Sequence, residues 1–323
     1  MDSRIDSGIM RIGVDLGGTK TEVAALAPDG AVLARQRRPT PRDDYRAHLA
    51  TVAALVQEVE TATGRRGSVG VGIPGAISAT SGLIKNASAT WLLERPLDRD
   101  LAAALGRPVR LMNDANCLAL SEAADGAAAG LAVVFGVILG TGVGGGIVVH
   151  GRPLVGRNAI AGEWGHNPLP WPTPEESPGP VCYCGKRGCI ETFLSGPNLA
   201  RDYREAGGAP VDAQEVTAQE VAARAAAGEP AAEAALARYE DRLARALAGV
   251  INILDPDALV LGGGLSNLDR LYRSLPALLP RYVFSDSVET QVLRARHGDS
   301  SGVFGAARLW PLEEAAAGLA AAS

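Results

Sequence analysis

The chain of 323 residues has no apolar run of transmembrane length, no block of lysine and arginine, and only four cysteines and four histidines. Each shortage removes a class of function. Without about 20 consecutive apolar residues no helix crosses a bilayer. A net charge of −5 with no basic stripe argues against a nucleic-acid surface. Four cysteines are too few for a secreted disulfide framework of this length, so the expected compartment is the reducing cytoplasm, where clustered thiols more often bind metal. The opening MDSRIDSGIM is too polar for a signal peptide, and Met10 offers an alternative start. What is present is a globular composition, 47% hydrophobic and 21% charged, with enough chain for two lobes.

Strands and helices mix throughout, which predicts an α/β class. Residues 10–39 read as three successive strands, broken at Gly17-Gly18 and at Pro28-Asp29-Gly30. A helix is predicted from Asp44 to Ala62, with Leu49, Val52, Leu55 and Val59 on one face. GSVGVGIPG reads as a buried strand, LDRDLAAALG as a helix, PVRLM as a strand, and DANCLALSEAADG as a helix starting after Asn113-Asp114. GVILGTGVGGGIVV (136–149) then aligns without a gap on GVDLGGTKTEVAAL (13–26). Such a repeat predicts two related lobes, each beginning with a hairpin, and only the first hairpin carries a carboxylate, Asp15. A proline-rich loop (168–181) follows, then helices over 195–254, a strand ending in LGGG, and a late helix in SSGVFGAARLW.

Three strands therefore end in glycine. A glycine turn lets backbone N–H groups approach a phosphate with no Cβ in the way. One such turn alone reads as a tight hairpin. None of the three fits the Walker or dinucleotide-binding patterns, since the first two return at once as strands. Two glycine hairpins more than a hundred residues apart, plus a strand ending in GGG, resemble the phosphate-1, phosphate-2 and adenosine segments of the actin/hexokinase/heat-shock-chaperone ATPase superfamily, whose two ribonuclease-H-like lobes close on a nucleotide. That resemblance implies ATP, with the Thr19 hydroxyl and the backbone at Gly17, Gly18, Gly140, Thr141, Gly142 and Gly144 facing phosphates. It implies Gly262, Gly263 and Gly264 against adenosine, and Asp15 holding Mg²⁺ through water. Lys20 is counted with the nucleotide-facing residues but not as a catalyst, because strand alternation can point it into solvent.

Three of the four cysteines stand within CYCGKRGC (182–189). A disulfide across one intervening residue is strained, and C-x-C is not a redox spacing. Cys182, Cys184 and Cys189 with His166 make a Cys₃His set for tetrahedral zinc, leaving Cys117 as a buried helix residue. EWGHNP followed by this cysteine motif is similar to the signature of the ROK family (repressors, open reading frames, kinases). DLGGTK, GIPG, NDAN, GTGVGGG, GEWGH, the cysteine motif and LGGG stand in the family's order from residue 13 to 264. The wording of PTPRDDY, KNASATWL and CYCGKRGCIETF resembles the bacterial fructokinase/mannokinase branch. The zinc is then expected to be structural, tying the loop of His166 to that of Glu191.

NDAN alone reads as a helix cap. By family position Asp114 is the catalytic base, removing the proton of a hexose primary hydroxyl during in-line attack on the γ-phosphate. Asn86, Asn113, Asp114, Glu163, His166 and Glu191, with the backbone of Gly75, are the family-implied sugar contacts. The expected activity is ATP-dependent phosphorylation of D-fructose or D-mannose to the 6-phosphate, with glucokinase and N-acetylglucosamine kinase as alternatives. A sugar-sensing regulator is disfavoured by the short segment before Met10, and a chaperone-type ATPase by Asp114 and the zinc motif. The resemblance further implies a homodimer, closure on sugar, a small lobe over residues 10–120 with the helix of about 300–323 packed back on it, and a large lobe over 121–299 carrying the zinc loop. No nucleic-acid or membrane partner is expected.

Overall fold

The computed structural model describes residues 8–208 and 216–320. Within the stretch 195–254 expected to be helical, residues 209–215 lie outside the described residues, as do the last three of the chain. The order begins β1 (Arg11–Leu16), β2 (Lys20–Leu26), β3 (Val32–Pro39), α1 (Tyr45–Thr63), β4 (Ser68–Ile73), β5 (Ala76–Ile77), β6 (Ile84–Lys85), α2 (Leu97–Leu105), β7 (Val109–Asn113) and α3 (Asp114–Ala124). It continues with β8 (Val133–Leu139), β9 (Val143–Val149), the short β10 (Arg152–Pro153), α4 (Glu191–Leu194), α5 (Gly196–Glu205), α6 (Ala218–Ala226) and α7 (Pro230–Leu254). β11 (Ala258–Gly262), α8 (Leu271–Leu278), β12 (Gln291–Arg294), α9 (Ser301–Ala307) and α10 (Leu312–Ala320) complete it. The chain divides into two compact units: residues 1–126 with 151–161 and 299–323, and residues 127–150 with 162–298.

In the first unit the strands run in the order β3-β2-β1-β4-β7. β1 pairs antiparallel with β2 and parallel with β4, and β4 pairs parallel with β7. Strand alternation divides β1 between two faces. Ile12, Val14 and Leu16 join Val52, Leu55, Val56 and Val59 of α1 in one apolar cluster. Gly13 and Asp15 turn to the other face, where α9 lies so close that a Cβ on Gly13 would stand 1.8 Å from the Val303 carbonyl oxygen. Gly70 meets Ala306, and Gly305 meets Cys117, at similarly impossible distances for any larger residue. Small residues thus let α9 pack against β1, β4 and α3. α1 begins where the sequence predicts, since the Asp44 carboxylate accepts from Ala47 N–H at 2.9 Å, and it ends at Gly64 with φ of 63°.

The second unit repeats the plan with β9-β8-β11-β12, β8 being antiparallel to β9 and parallel to β11. Its core is organised by α7, whose Leu236, Tyr239, Leu243, Leu247 and Ile251 follow the helical repeat and are all buried. α7 also carries two buried arginines, and Glu176 of the proline-rich loop bonds to Arg242 Nε at 2.7 Å and to both terminal nitrogens of Arg245 at 2.8 Å. Removal from water opposes the Glu176 charge, but the two arginines outweigh it and hold the carboxyl down at about 2. That pairing ties the loop entering the cysteine cluster to the longest helix. Among the described residues no helix is long and apolar enough to cross a membrane.

Candidate active site

In the first unit, the predicted residues gather at the carboxyl ends of the parallel strands β1, β4 and β7, where open α/β sheets bind ligands. Asp15 is the penultimate residue of β1, opposite Glu22 on β2 and Gly72 on β4. Asn113 ends β7 and caps α3, its Oδ1 accepting from Ala115 N–H at 2.9 Å and its Nδ2 donating to Gly75 O at 3.4 Å. Asp114 opens α3, and one of its oxygens accepts from the same N–H at 2.8 Å. Gly75 lies against the strand end of β6: a Cβ there would meet Lys85 O at 2.8 Å and Ala87 at 3.0 Å. Asn86, between those two residues, is exposed with a left-handed φ of 55°. Gly75, Asn86, Asn113 and Asp114 therefore share one neighbourhood.

Asp15 and Asp114 feel each other's charge. Loss of hydration, then repulsion from Asp114 and Glu22, pushes the Asp15 carboxyl up to about 7, against the pull of Lys20 and Arg37. Cys117, buried behind them on α3, is held well above the ordinary thiol range by burial and by the same two acids, so it stays neutral. Lys20 reaches Asp299 at 3.6 Å and is partly exposed.

The Gly17-Gly18-Thr19 turn joins β1 to β2. Gly17 is needed because a Cβ would stand 2.7 Å from Lys20 O, whereas the space above Gly18 is open. Thr40 braces the turn, donating from its backbone to Thr19 O at 3.0 Å and from its hydroxyl to Gly17 O at 2.8 Å. Arg42 Nε donates to Gly18 O at 3.1 Å. Sequence reasoning missed both braces; PTPRDDY drew notice only for its wording.

In the second unit Gly140-Thr141-Gly142 makes the matching turn between β8 and β9, closed by Gly140 N–H donating to Gly142 O at 3.0 Å. Glu191 sits against this turn: its Oε2 accepts from Val143 N–H at 2.9 Å and would be 2.7 Å from a Cβ on Gly142. Gly144 O accepts from the Trp164 indole at 2.9 Å, which holds Glu163 and His166 beside β9. A cavity of about 430 Å³ is lined by Gly140, Thr141, Gly196, Thr217, Gln219 and Gly264, among others. Of the three predicted adenosine glycines, Gly264 borders it. Gly262 is buried in β11, and Gly263, with φ of 80°, passes 2.6 Å (as a Cβ) from Leu139 O. Thr217 and Gln219 carried no signal in the sequence.

His166, Cys182, Cys184 and Cys189 place one donor atom each within 4.8 Å of all the others. Cys182 Sγ is 3.6 Å from His166 Nδ1, and Cys184 Sγ is 3.6 Å from Cys189 Sγ. Four donors about 2.3 Å from a tetrahedral zinc stand roughly 3.8 Å apart, and slightly less where nitrogen replaces sulfur. The set fits zinc in identity and in spacing. The outer nitrogen of His166 bonds to the Tyr183 hydroxyl at 2.9 Å, the kind of second partner that fixes a ligating imidazole.

The family model described as the ROK family matches residues 11–313. The N-acetyl-D-glucosamine kinase of Escherichia coli O127:H6 is 41% identical over 304 residues, covering 93% of this chain and 99% of that protein. The crystal structure of a ROK hexokinase from Thermus thermophilus superposes with a TM-score of 0.80 at 33% identity, covering 93% of this chain and 97% of the other. A ROK family glucokinase from Streptomyces griseus, solved with glucose and AMPPNP, gives 0.77 at 27% identity, covering 93% and 98%. The two hairpin-led sheets accordingly have the actin/hexokinase-type ATPase fold. Because the likeness runs from the first strand to the last helix and takes in both glycine turns and the Cys₃His cluster, this chain belongs to the ROK family.

Proposed function

We propose that the protein is an ATP-dependent sugar kinase that phosphorylates the primary hydroxyl of a hexose, with N-acetyl-D-glucosamine as the preferred acceptor. The observation that carries this choice is the 41% identity, over 93% of the chain, to a protein named N-acetyl-D-glucosamine kinase. The expectation of fructose or mannose rested on the wording of short motifs, and a likeness along the whole chain weighs more. D-Fructose and D-mannose remain the second reading, supported by CYCGKRGCIETF, which includes the Tyr183 that contacts His166.

In this reading Asp114 accepts the proton of the attacking hydroxyl. Its place at the end of β7, with one oxygen fixed by Ala115 N–H, orients the carboxylate before substrate arrives. Gly75, Asn86 and Asn113 in the first unit offer amide and carbonyl partners for sugar hydroxyls. Glu163 and Glu191 in the second offer carboxylates, Glu191 spending one oxygen on the turn, and His166, with one nitrogen facing Cys182, reaches a sugar only by exchanging the Tyr183 hydroxyl on the other. Backbone N–H groups at Gly17, Gly18 and Thr19, and at Gly140, Thr141, Gly142 and Gly144, bind phosphates, with Lys20 near the first set. Adenosine occupies the cavity bordered by Gly264, Thr217 and Gln219. Asp15, crowded by Asp114 and Glu22, has the donor chemistry to hold Mg²⁺ through water. The ion, when bound, neutralises charge on the phosphates. Zinc on His166, Cys182, Cys184 and Cys189 is structural: it fixes the segment from Glu163 to Glu191. The same reading takes the protein as a cytoplasmic homodimer.

A coupled assay with ATP across N-acetylglucosamine, glucose, fructose and mannose tests it. The highest kcat/KM is expected for N-acetylglucosamine. A tenfold preference for fructose or mannose would install the second reading, and no turnover with any sugar would end the assignment.

A further inference from the structure

The first glycine turn stands among acids. Asp15, Glu22 and Asp114 cluster beneath it, and the nearby cations are occupied: Lys20 by Asp299, Arg35 and Arg37 by Glu22. Counting side chains alone, a phosphoryl group brought here meets more negative charge than positive. Arg42 is the exception. It is exposed, has no acidic partner among the described residues, and fastens only its Nε to Gly18 O at 3.1 Å.

The loop does not need that bond to hold its shape. Thr40 already ties it to the turn through its backbone, at 3.0 Å from Thr19 O, and through its hydroxyl, which meets Gly17 O at 2.8 Å and the Thr21 hydroxyl at 2.9 Å. Asp44 caps α1 directly after it. What the bond achieves is to aim the guanidinium. With Nε engaged, the four remaining N–H donors form a fork matched to two phosphate oxygens. Beside it lie the open space above Gly18 and the exposed Thr19.

We propose that Arg42 binds the transferred phosphoryl group at the Gly17-Gly18-Thr19 turn. The inference rests on the phosphoryl transfer proposed above and adds a residue to it. Asp114, which activates the acceptor, belongs to the same strand-end neighbourhood as this turn, so the phosphate arriving here is the one that moves. Arg42 offsets the charge of Asp15 and Asp114 as the γ-phosphate leaves ADP, when its equatorial oxygens carry the negative charge.

The test compares Arg42→Gln and Arg42→Lys with the wild-type chain in three measurements: thermal unfolding, calorimetric binding of Mg·AMPPNP and Mg·ADP, and steady-state kinetics. Arg42→Gln is expected to unfold within about 2 °C of wild type. Its affinity for the triphosphate should fall at least tenfold and that for the diphosphate less than threefold, while kcat/KM falls on the order of 100-fold. Arg42→Lys, which keeps the charge but loses the fork, should recover part of both losses. Equal weakening of both nucleotides would mean a role in loop shape alone and overturn the proposal, as would triphosphate binding and turnover within threefold of wild type. If the wild-type chain phosphorylates no sugar, the kinase reading fails on its own, and the comparison of triphosphate with diphosphate still decides the role of Arg42.

Discussion

Replacing Glu176 by glutamine tests whether the proline-rich loop is held by charge. The side chain is 8% exposed and is bonded by Arg242, by both terminal nitrogens of Arg245 and by Thr173 N–H. Its carboxyl, at about 2 in the folded chain, lies below the unfolded value of about 4.3. The unfolded state therefore takes the proton first. The stabilisation is complete above pH ~4.5 and is lost as pH falls through about 2, and a gap of that size corresponds to about 3 kcal/mol. Glutamine removes the charge and leaves two buried guanidinium groups. Arg242 keeps Asp202 at 2.7 Å, and Arg245 keeps Asp241 at 2.9 Å and the Trp171 carbonyl at 2.8 Å. The loss should accordingly sit near 2–3 kcal/mol, at the low end for a broken buried pair. Urea unfolding followed by tryptophan fluorescence is the assay, since Trp171 on the same loop stacks on Tyr282 at 5.9 Å. At pH 7 the variant should be less stable by that amount, and the difference should shrink toward zero as pH approaches 2. Equal stability at pH 7, or a difference that does not change with pH, would refute the reasoning.

Asp114→Asn should lower kcat by about 10³-fold while the sugar dissociation constant changes little, because an amide keeps the shape and hydrogen-bonding reach but cannot accept the proton; kinetics together with sugar calorimetry check both halves. Elemental analysis should find one zinc per chain, and removal by a strong chelator should lower the melting temperature and raise the sugar KM, with Cys184→Ser reproducing both effects. Gly13→Ala should cost about 3 kcal/mol in urea unfolding, since the added methyl group meets the Val303 carbonyl.

What the sequence reveals and what it hides divide along a physical line. Features encoded by neighbours in the chain were legible. The β1–β2 and β8–β9 hairpins show as apolar runs around glycine, α1 as an Asp44 cap followed by a helical apolar repeat, and the Cys₃His cluster as three thiols within eight positions, with the fourth donor sixteen residues before the first of them. Features that depend on which distant groups meet were not. Nothing in GCIETF says that Glu191 will accept from Val143 N–H, so a residue read as a sugar contact also shapes the second glycine turn. Glu176 carries no signal in the proline-rich loop, and its role appears only where α7 presents Arg242 and Arg245 to it. Arg42 carries no signal in the sequence, and its place beside the first turn follows from Thr40 pinning its loop onto Gly17 and Thr19. The same logic explains why the two hairpins, alike in sequence, differ in chemistry. The first sets Asp15 on the face where α3 brings Asp114; at the position matching Asp15 the second has Ile138, and its turn receives Glu191 as a backbone acceptor instead. The repeat supplies two similar glycine turns, and the side chains packed behind each, two carboxylates at the first and a backbone-bonded glutamate at the second, set what each can do.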